Sequence, residues 1–231
     1  MKKLSLMLLL LFMCGIAKNY AQADVKANVA QIKKNLTDSK VSLKNYEWIE
    51  TTTIFLKGEQ KSLQQKQCYY AVDGTLIKVE TGVSTQTKQK GGIRGKIIEK
   101  KKEQMSDYAK LTVSKIKTYL PPDPQKIQRI YENGKTNIQI LKPNTKFKLS
   151  FPDYNEPGDI LSISIDKSKQ KIISAEVSTS IDDPNKKVQF DITYSDLPDG
   201  TQYAAKTVLD APEKNLKIVI ENSGFKNAAG K

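Results

Sequence analysis

Apolar residues recur at helical spacing in three parts of the chain. These patterns predict helices over residues 25–40, 96–119 and 124–133. The apolar positions of the first helix are Val25, Val29, Ile32 and Leu36, with lysines between them. Asp123-Pro124 is typical of the N-cap and first residue of a helix, and Gly134 of a helix end. The sequence therefore predicts one early helix and a later helical pair.

From Tyr46 onward the apolar period changes to two, which is typical of a strand with one buried face. The residues predicted to share a face are Tyr46, Trp48, Glu50, Thr52 and Ile54. Lys57-Gly58-Glu59 indicates a turn into a second strand, over about 62–72. Asp73-Gly74 is a two-residue hairpin signal, and it predicts a third strand over about 75–81.

The last hundred residues alternate in the same way and predict a meander of short strands. Their paired apolar positions include Ile138/Ile140, Phe147/Leu149/Phe151, Leu161/Ile163/Ile165, Ile173/Ala175/Val177, Val188/Phe190/Ile192/Tyr194, Ala204/Val208 and Leu216/Ile218/Ile220. Turn residues separate these runs, as in Lys142-Pro143-Asn144, Glu156-Pro157-Gly158, Asp182-Asp183-Pro184-Asn185 and Asp199-Gly200.

About ten strongly twisted strands rarely form a flat sheet. We therefore predict an α+β fold in which a highly curved antiparallel half-barrel holds the helices against its concave face. A single domain over 24–231 is expected, with a helical insertion at about 96–134. Gly82, Gly91, Gly92 and Gly95 predict a flexible loop over 82–95. We expect this loop and helix 96–119 to act as a movable cover.

The first 23 residues have the features of a secretory signal. Lys2 and Lys3 precede an apolar run from Leu4 to Ala17, and Ala21-Gln22-Ala23 is a small-residue cleavage site. The run is too short to cross a bilayer of about 30 Å. We therefore expect a protein that is soluble after signal cleavage, in the periplasm or secreted.

The net charge of +13 comes almost entirely from lysine. The only arginines are Arg94 and Arg129, whereas arginine is the side chain best suited to read phosphate and guanine bidentately. We expect no specific nucleic-acid partner. Cys68 is the only cysteine after the signal, so no internal disulfide can form there, and we expect a buried, unreactive thiol.

The chain contains no histidine, which excludes Ser-His-Asp and Cys-His catalysis and every imidazole metal site. Asp153, Glu156 and Asp159 lie close together in sequence and could support carboxylate chemistry. A crowded turn around Pro157 and Gly158 explains them more simply. We therefore predict no enzyme activity, no metal site and no cofactor.

Aromatic and apolar residues on the predicted strands and the long helix suggest an apolar hollow. The candidate cavity residues are Trp48, Tyr70, Met105, Tyr108, Leu111, Phe147 and Phe190. Met105, Tyr108 and Leu111 are expected to face the hollow from helix 96–119.

A second candidate surface is the basic stretch from Lys88 to Lys102, which has seven cations and one acid. Its candidate anion-binding or membrane-binding residues are Lys90, Arg94, Lys96, Lys100, Lys101 and Lys102. This stretch supports the alternative hypothesis of an envelope structural or interaction module that docks an anionic polymer, a membrane or a protein partner.

The order of these elements resembles a known family. An amphipathic helix leads into Leu43-Lys44-Asn45-Tyr46-Glu47-Trp48, and the closing meander contains Val188-Gln189-Phe190-Asp191-Ile192 and Leu197-Pro198-Asp199-Gly200. Together with the signal and the mid-chain helices, this resembles the periplasmic lipoprotein-carrier (LolA/LolB-like) superfamily. That resemblance implies a half-barrel around an apolar cavity for acyl chains, with a lipid or a lipoprotein as the partner. We therefore predict an exported, non-enzymatic binding or carrier protein.

Overall fold

The computed structural model describes residues 25–84, 93–183 and 185–228; for 83–84 and 93–103 it describes the backbone only. Ten antiparallel strands form one curved, unclosed sheet, which matches a half-barrel. The predicted α+β class is confirmed. The predicted signal, residues 1–23, lies outside the described residues.

The strands and helices lie close to the positions that the sequence pattern predicts. The strands are β1 (Tyr46–Leu56), β2 (Glu59–Tyr70), β3 (Leu76–Ser84), β4 (Asn137–Lys142), β5 (Lys146–Pro152), β6 (Ile160–Asp166), β7 (Lys171–Ser180), β8 (Lys187–Asp196), β9 (Gln202–Ala211) and β10 (Leu216–Asn227). The helices are α1 (25–42), α2 (Ile93–Thr118) and α3 (Pro124–Glu132). As predicted, Asp123 caps α3 by accepting hydrogen bonds from the backbone N–H groups of Gln125 and Lys126.

Sheet order explains why the helices cover the concave face. The strands lie in the order β3-β2-β1-β10-β9-β8-β7-β6-β5-β4, so that β3 and β4 are the two edges. The segment between β3 and β4 contains α2 and α3. This connection therefore runs from one edge of the half-barrel to the other.

A dry core fills the hollow over β5–β9. Buried side chains of these strands pack against residues of all three helices, including Ile32, Ile116 and Ile127. The largest fully buried sheet residues are Phe151, Phe190, Leu149, Leu161, Ile163, Ile192 and Leu209. This core holds the helices in place.

Three local predictions differ from the structure. The predicted loop 82–95 is shorter, because β3 continues to Ser84 and α2 begins at Ile93; residues 85–92 lie outside the described part. In β7, Ile172 is buried in place of Ile173, because an irregularity between β6 and β7 shifts the alternation by one residue. On α2, Leu111 is 56% exposed although helical spacing placed it on the apolar side.

The edge strand β4 is exposed along its whole length. It carries Ile138, Ile140 and Leu141 with little cover and ends at Lys142, which pairs with Lys146 of β5. None of the helices in the described residues combines the length and the apolar content needed to cross a bilayer.

Phe190 and Leu111 give a paired test of this arrangement. Phe190→Ala removes a fully buried ring from the core, and we expect it to lower the free energy of unfolding by about 3–5 kcal/mol. Leu111→Ala on the exposed side of α2 should change it by no more than about 0.5 kcal/mol. Urea unfolding followed by circular dichroism measures both values, and similar losses for the two variants would contradict the described packing.

Candidate functional site

Two cavities lie beneath the helices; the first is lined from β1–β3 and β7–β10, and the second from β1 and β2. The first, here named the aromatic cavity, has a volume of about 160 Å³. Its aromatic lining residues are Trp48, Tyr70, Tyr194, Tyr203 and Phe225. Its aliphatic walls include Leu36, Ile116, Ile172 and Ile220. Lys40 and Leu76 are exposed and mark its mouth.

The aromatic side chains of this cavity pack against one another. Trp48 stacks on Phe225 with 5.6 Å between ring centroids, and Tyr203 approaches Phe225 to 4.3 Å. Tyr70 lies 5.9 Å from Trp48. The indole N–H of Trp48 donates to Asn222 Oδ1 at 3.0 Å. These contacts fix Trp48 and present its ring to the cavity.

Most polar side chains on the α1 and β9 side of the cavity bind the protein itself. Gln202 Nε2 donates to the carbonyl of Ile172 at 2.9 Å, and its Oε1 accepts from the Ile172 N–H at 3.0 Å. Asn222 Nδ2 donates to the carbonyl of Ala204 at 2.8 Å. Asn35 Nδ2 donates to the carbonyl of Gln170 at 2.6 Å. The amide groups of this wall are therefore already occupied by hydrogen bonds within the protein.

A second cavity, here named the polar cavity, lies between α2 and the first hairpin and has a volume of about 270 Å³. Its sheet residues are Glu50, Thr52, Ile54, Ser62, Gln64 and Lys66. Its helix residues are Ala109, Lys110, Val113, Ser114 and Lys117. Glu50 and Lys117 line both cavities, so they lie where the two adjoin.

A charged cluster occupies this junction because of how the first three strands pair. Glu50 of β1 lies opposite Lys66 of β2, and Lys78 of β3 lies opposite Cys68. Lys78 forms a close ion pair with Glu50, and Glu50 is only 9% exposed. Lys66 Nζ lies 3.8 Å from Glu80. Lys117 faces this group from α2 and forms no ion pair within the described part of the chain.

Lysines outnumber carboxylates in this cluster, and the lowered pKa of Lys117 reflects burial and their repulsion. Partial burial lowers the pKa of Lys117, the neighbouring Lys78 and Lys66 lower it further, and Glu50 opposes them. The same surroundings act on Cys68, where burial and then Glu50 raise the pKa of the thiol. Burial, Lys78 and Lys66 therefore disfavour a positive charge at Lys117, whereas burial and Glu50 disfavour a negative charge at Cys68.

The C-terminal end of α2 is fastened to the β5–β6 loop, and this places Lys117 over the junction. The hydroxyl of Tyr119, the residue after Thr118, donates to Asp159 Oδ2, and burial raises the pKa of this tyrosine. Asn155 Nδ2 donates to the carbonyl of Thr118 at 3.1 Å. Lys115 pairs with Glu156. These contacts fix the last turn of the helix.

The same contacts explain the three carboxylates of that loop. Asp159 Oδ2 accepts from the backbone N–H groups of Asn155 and Glu156, at 2.9 and 3.0 Å. Asp153 accepts from the N–H of Gly158 at 2.9 Å. Asp153 Oδ1 and Asp159 Oδ2 are therefore used within the turn and Glu156 pairs with Lys115 of α2, whereas the buried Asp159 Oδ1 has no hydrogen-bond partner among the described residues.

The structure brings together only part of the predicted cavity set. Trp48 and Tyr70 line the aromatic cavity. Tyr108, Phe147 and Phe190 are buried in the dry core instead. Met105 is partly buried and Leu111 exposed, and neither lines a described cavity. Periodicity identified apolar faces, but it could not say which parts of the hollow the helices fill.

The predicted anion-binding surface consists of residues whose side chains the structure does not describe. Lys90 is not among the described residues, and the side chains on the first turns of α2 are not described. Those residues are Arg94, Lys96, Lys100, Lys101 and Lys102. The basic surface stays a prediction from sequence. The sequence analysis also missed Lys78 and Lys117. Their positions on a predicted strand and a predicted helix that face the same hollow could have identified them.

Comparisons with known proteins give one structural likeness. The chain is similar to a DUF1329 family protein from Desulfovibrio piger, with 11% sequence identity and a TM-score of 0.44. The match covers 90% of this chain and 94% of that one. No protein-family model matches the chain, and no curated protein matches it.

The reactivity of the Cys68 thiol tests whether the side chains beside the charged cluster are packed as described. Because its side chain is fully buried and its thiol pKa is raised, little reactive thiolate forms at neutral pH. In a chain carrying Cys14→Ser, we expect iodoacetamide to leave Cys68 unmodified until urea unfolds the protein. A control with Cys14→Ser, Cys68→Ser and Val72→Cys places a thiol at an exposed position and should react readily when folded. Equal rates in the two folded proteins would contradict the described burial.

Proposed function

We propose that this chain is an exported, non-catalytic binding or carrier protein for a lipid or a lipidated molecule of the cell envelope. The observation that supports it is the aromatic cavity, a mainly apolar space under the helices with an exposed mouth. Apolar pockets with a few fixed polar groups are the usual form of small-molecule sites. The resemblance to half-barrel lipoprotein carriers favours the same class of ligand.

The size of the aromatic cavity limits what it can hold as it stands. A cavity of about 150 Å³ accommodates a benzene-sized molecule. Roughly six buried carbon atoms contribute about 5 kcal/mol, while association costs at least about 4 kcal/mol. A short apolar group would therefore bind weakly. Strong binding of an acyl chain requires more volume, and this would come from movement of α2 away from β1–β3.

Filling the aromatic cavity tests the proposed ligand. We expect mass spectrometry of organic extracts to detect an apolar molecule bound to protein purified from its native host. Ala204→Phe places a ring in the cavity and should remove most of this molecule. Ala205→Phe makes the same change at a neighbouring position that does not line the cavity, and should retain it. Repeated absence of any bound lipid would contradict the proposal.

Movement of α2 gives a second test. Octanol is a neutral probe that we expect to slow amide exchange over residues 104–118 and over β1–β3. Exchange in β5 and β6 should change little, because their inward side chains are in the dry core and none of their residues lines either cavity. Ala204→Phe supplies the control, since it should show no octanol effect. Equal protection of α2 with and without octanol in the unsubstituted protein would show that the helix is fixed core.

A further inference from the structure

The two cavities differ in chemistry, and charged residues stand where they adjoin. The aromatic cavity offers five rings and aliphatic walls. The polar cavity combines hydroxyl, amide and ammonium groups, those of Ser62, Gln64 and Lys66 among them, with the aliphatic side chains of Ile54, Ala109 and Val113. One continuous ligand could therefore have an apolar part and a polar part in adjacent spaces.

The charge of the lining is mainly positive. Across both cavities the lysines are Lys40, Lys66, Lys78, Lys110 and Lys117, whereas Glu50 is the single carboxylate. Glu50 is already paired with Lys78. On the surface, Lys110 pairs with Asp107 at 3.2 Å, and Lys66 Nζ lies 3.8 Å from the exposed Glu80. The lining is thus left with an excess of positive charge.

Lys117 is the group whose charge is least compensated. Burial and the neighbouring Lys78 and Lys66 lower the pKa of Lys117, while Glu50 and, to a smaller degree, Cys68 raise it. Lysine near a helix C-terminus has an ordinary stabilising role through the helix dipole. Lys115 also lies in this last turn and pairs with Glu156, so the dipole does not explain why Lys117 faces the cavities.

We infer that the site selects amphiphiles with an anionic head group, carboxylate or phosphate, held at the junction by Lys117, Lys78 and Lys66, with the apolar tail against Trp48. This inference rests on the proposed function and specifies its class of ligand. The head group would act as a second counter-ion and relieve repulsion among three ammonium groups. Lysine is a point charge without bidentate geometry, so the junction accepts either head group.

Trp48 makes the test direct, because it is the only tryptophan of the chain and lies in the aromatic cavity. Its fluorescence would be followed during titration with octanoate, octyl phosphate, octanol and octylamine. We expect the two anions to bind about tenfold more tightly than octanol, since hydrogen bonds to charged groups are the stronger ones. Octylamine should bind least. The advantage of the anions should shrink as salt is added.

Substitutions at the junction should move anion affinity in opposite directions. Lys117→Gln should remove most of the advantage of the anions over octanol, while Lys117→Arg should keep that advantage. Glu50→Gln should strengthen anion binding, because it removes the competing carboxylate. Lys217→Gln removes one positive charge from an exposed position of β10 and should have no effect. Circular dichroism of each variant checks that it is folded.

The outcomes separate the two proposals. If no octyl compound changes Trp48 fluorescence, the proposed function fails. If octanol binds as tightly as octanoate, or if Lys217→Gln acts like Lys117→Gln, the head-group selection is overturned while the binding function stands. Inorganic phosphate alone tests for a tail-independent anion site. Binding as tight as that of octyl phosphate would also overturn the inference.

Discussion

Pairing of β1 with β10 is the constraint on which this architecture depends. It runs from Tyr46 opposite Asn227 to Leu56 opposite Leu216 and joins the first three strands to the other seven. Because β1 and β10 lie inside the sheet, the edges fall to β3 and β4. The chain between those edges must cross the hollow, and its apolar side chains supply the cover. Without this pairing the two meanders would each lack a partner for one strand.

The cover fits the two parts of the sheet unequally. Over β5–β9, inward residues such as Leu149, Phe190 and Leu209 are apolar and the helices pack on them without access to solvent. Over β1–β3, the inward positions include Glu50, Gln64 and Lys66, and no comparable core can form. Burying charged side chains among apolar ones is costly, so the helices do not close on these positions. The polar cavity follows from that difference in composition.

Local sequence signals predicted the elements better than they predicted the site. Alternation and turn chemistry identified the strands, and Asp123-Pro124 located the start of α3. The charged cluster depends on register, which turns alone do not determine. Counting back from the Leu56–Glu59 pair would place Glu50 opposite Gln65, but an irregularity at Ile54 and Phe55 places it opposite Lys66. Lys117 joins the cluster only through the path of α2, which reflects contacts distant in sequence.

The uncovered strand β4 has a consequence for how copies of this protein meet in solution. An exposed, apolar edge is a template for pairing with another chain. Lys142 and Lys146 lie together at one end of this edge, and the chain as a whole is strongly basic. Two such edges approaching each other would bring like charges together. Colloidal behaviour should therefore depend on ionic strength, with salt promoting self-association that the lysines otherwise oppose.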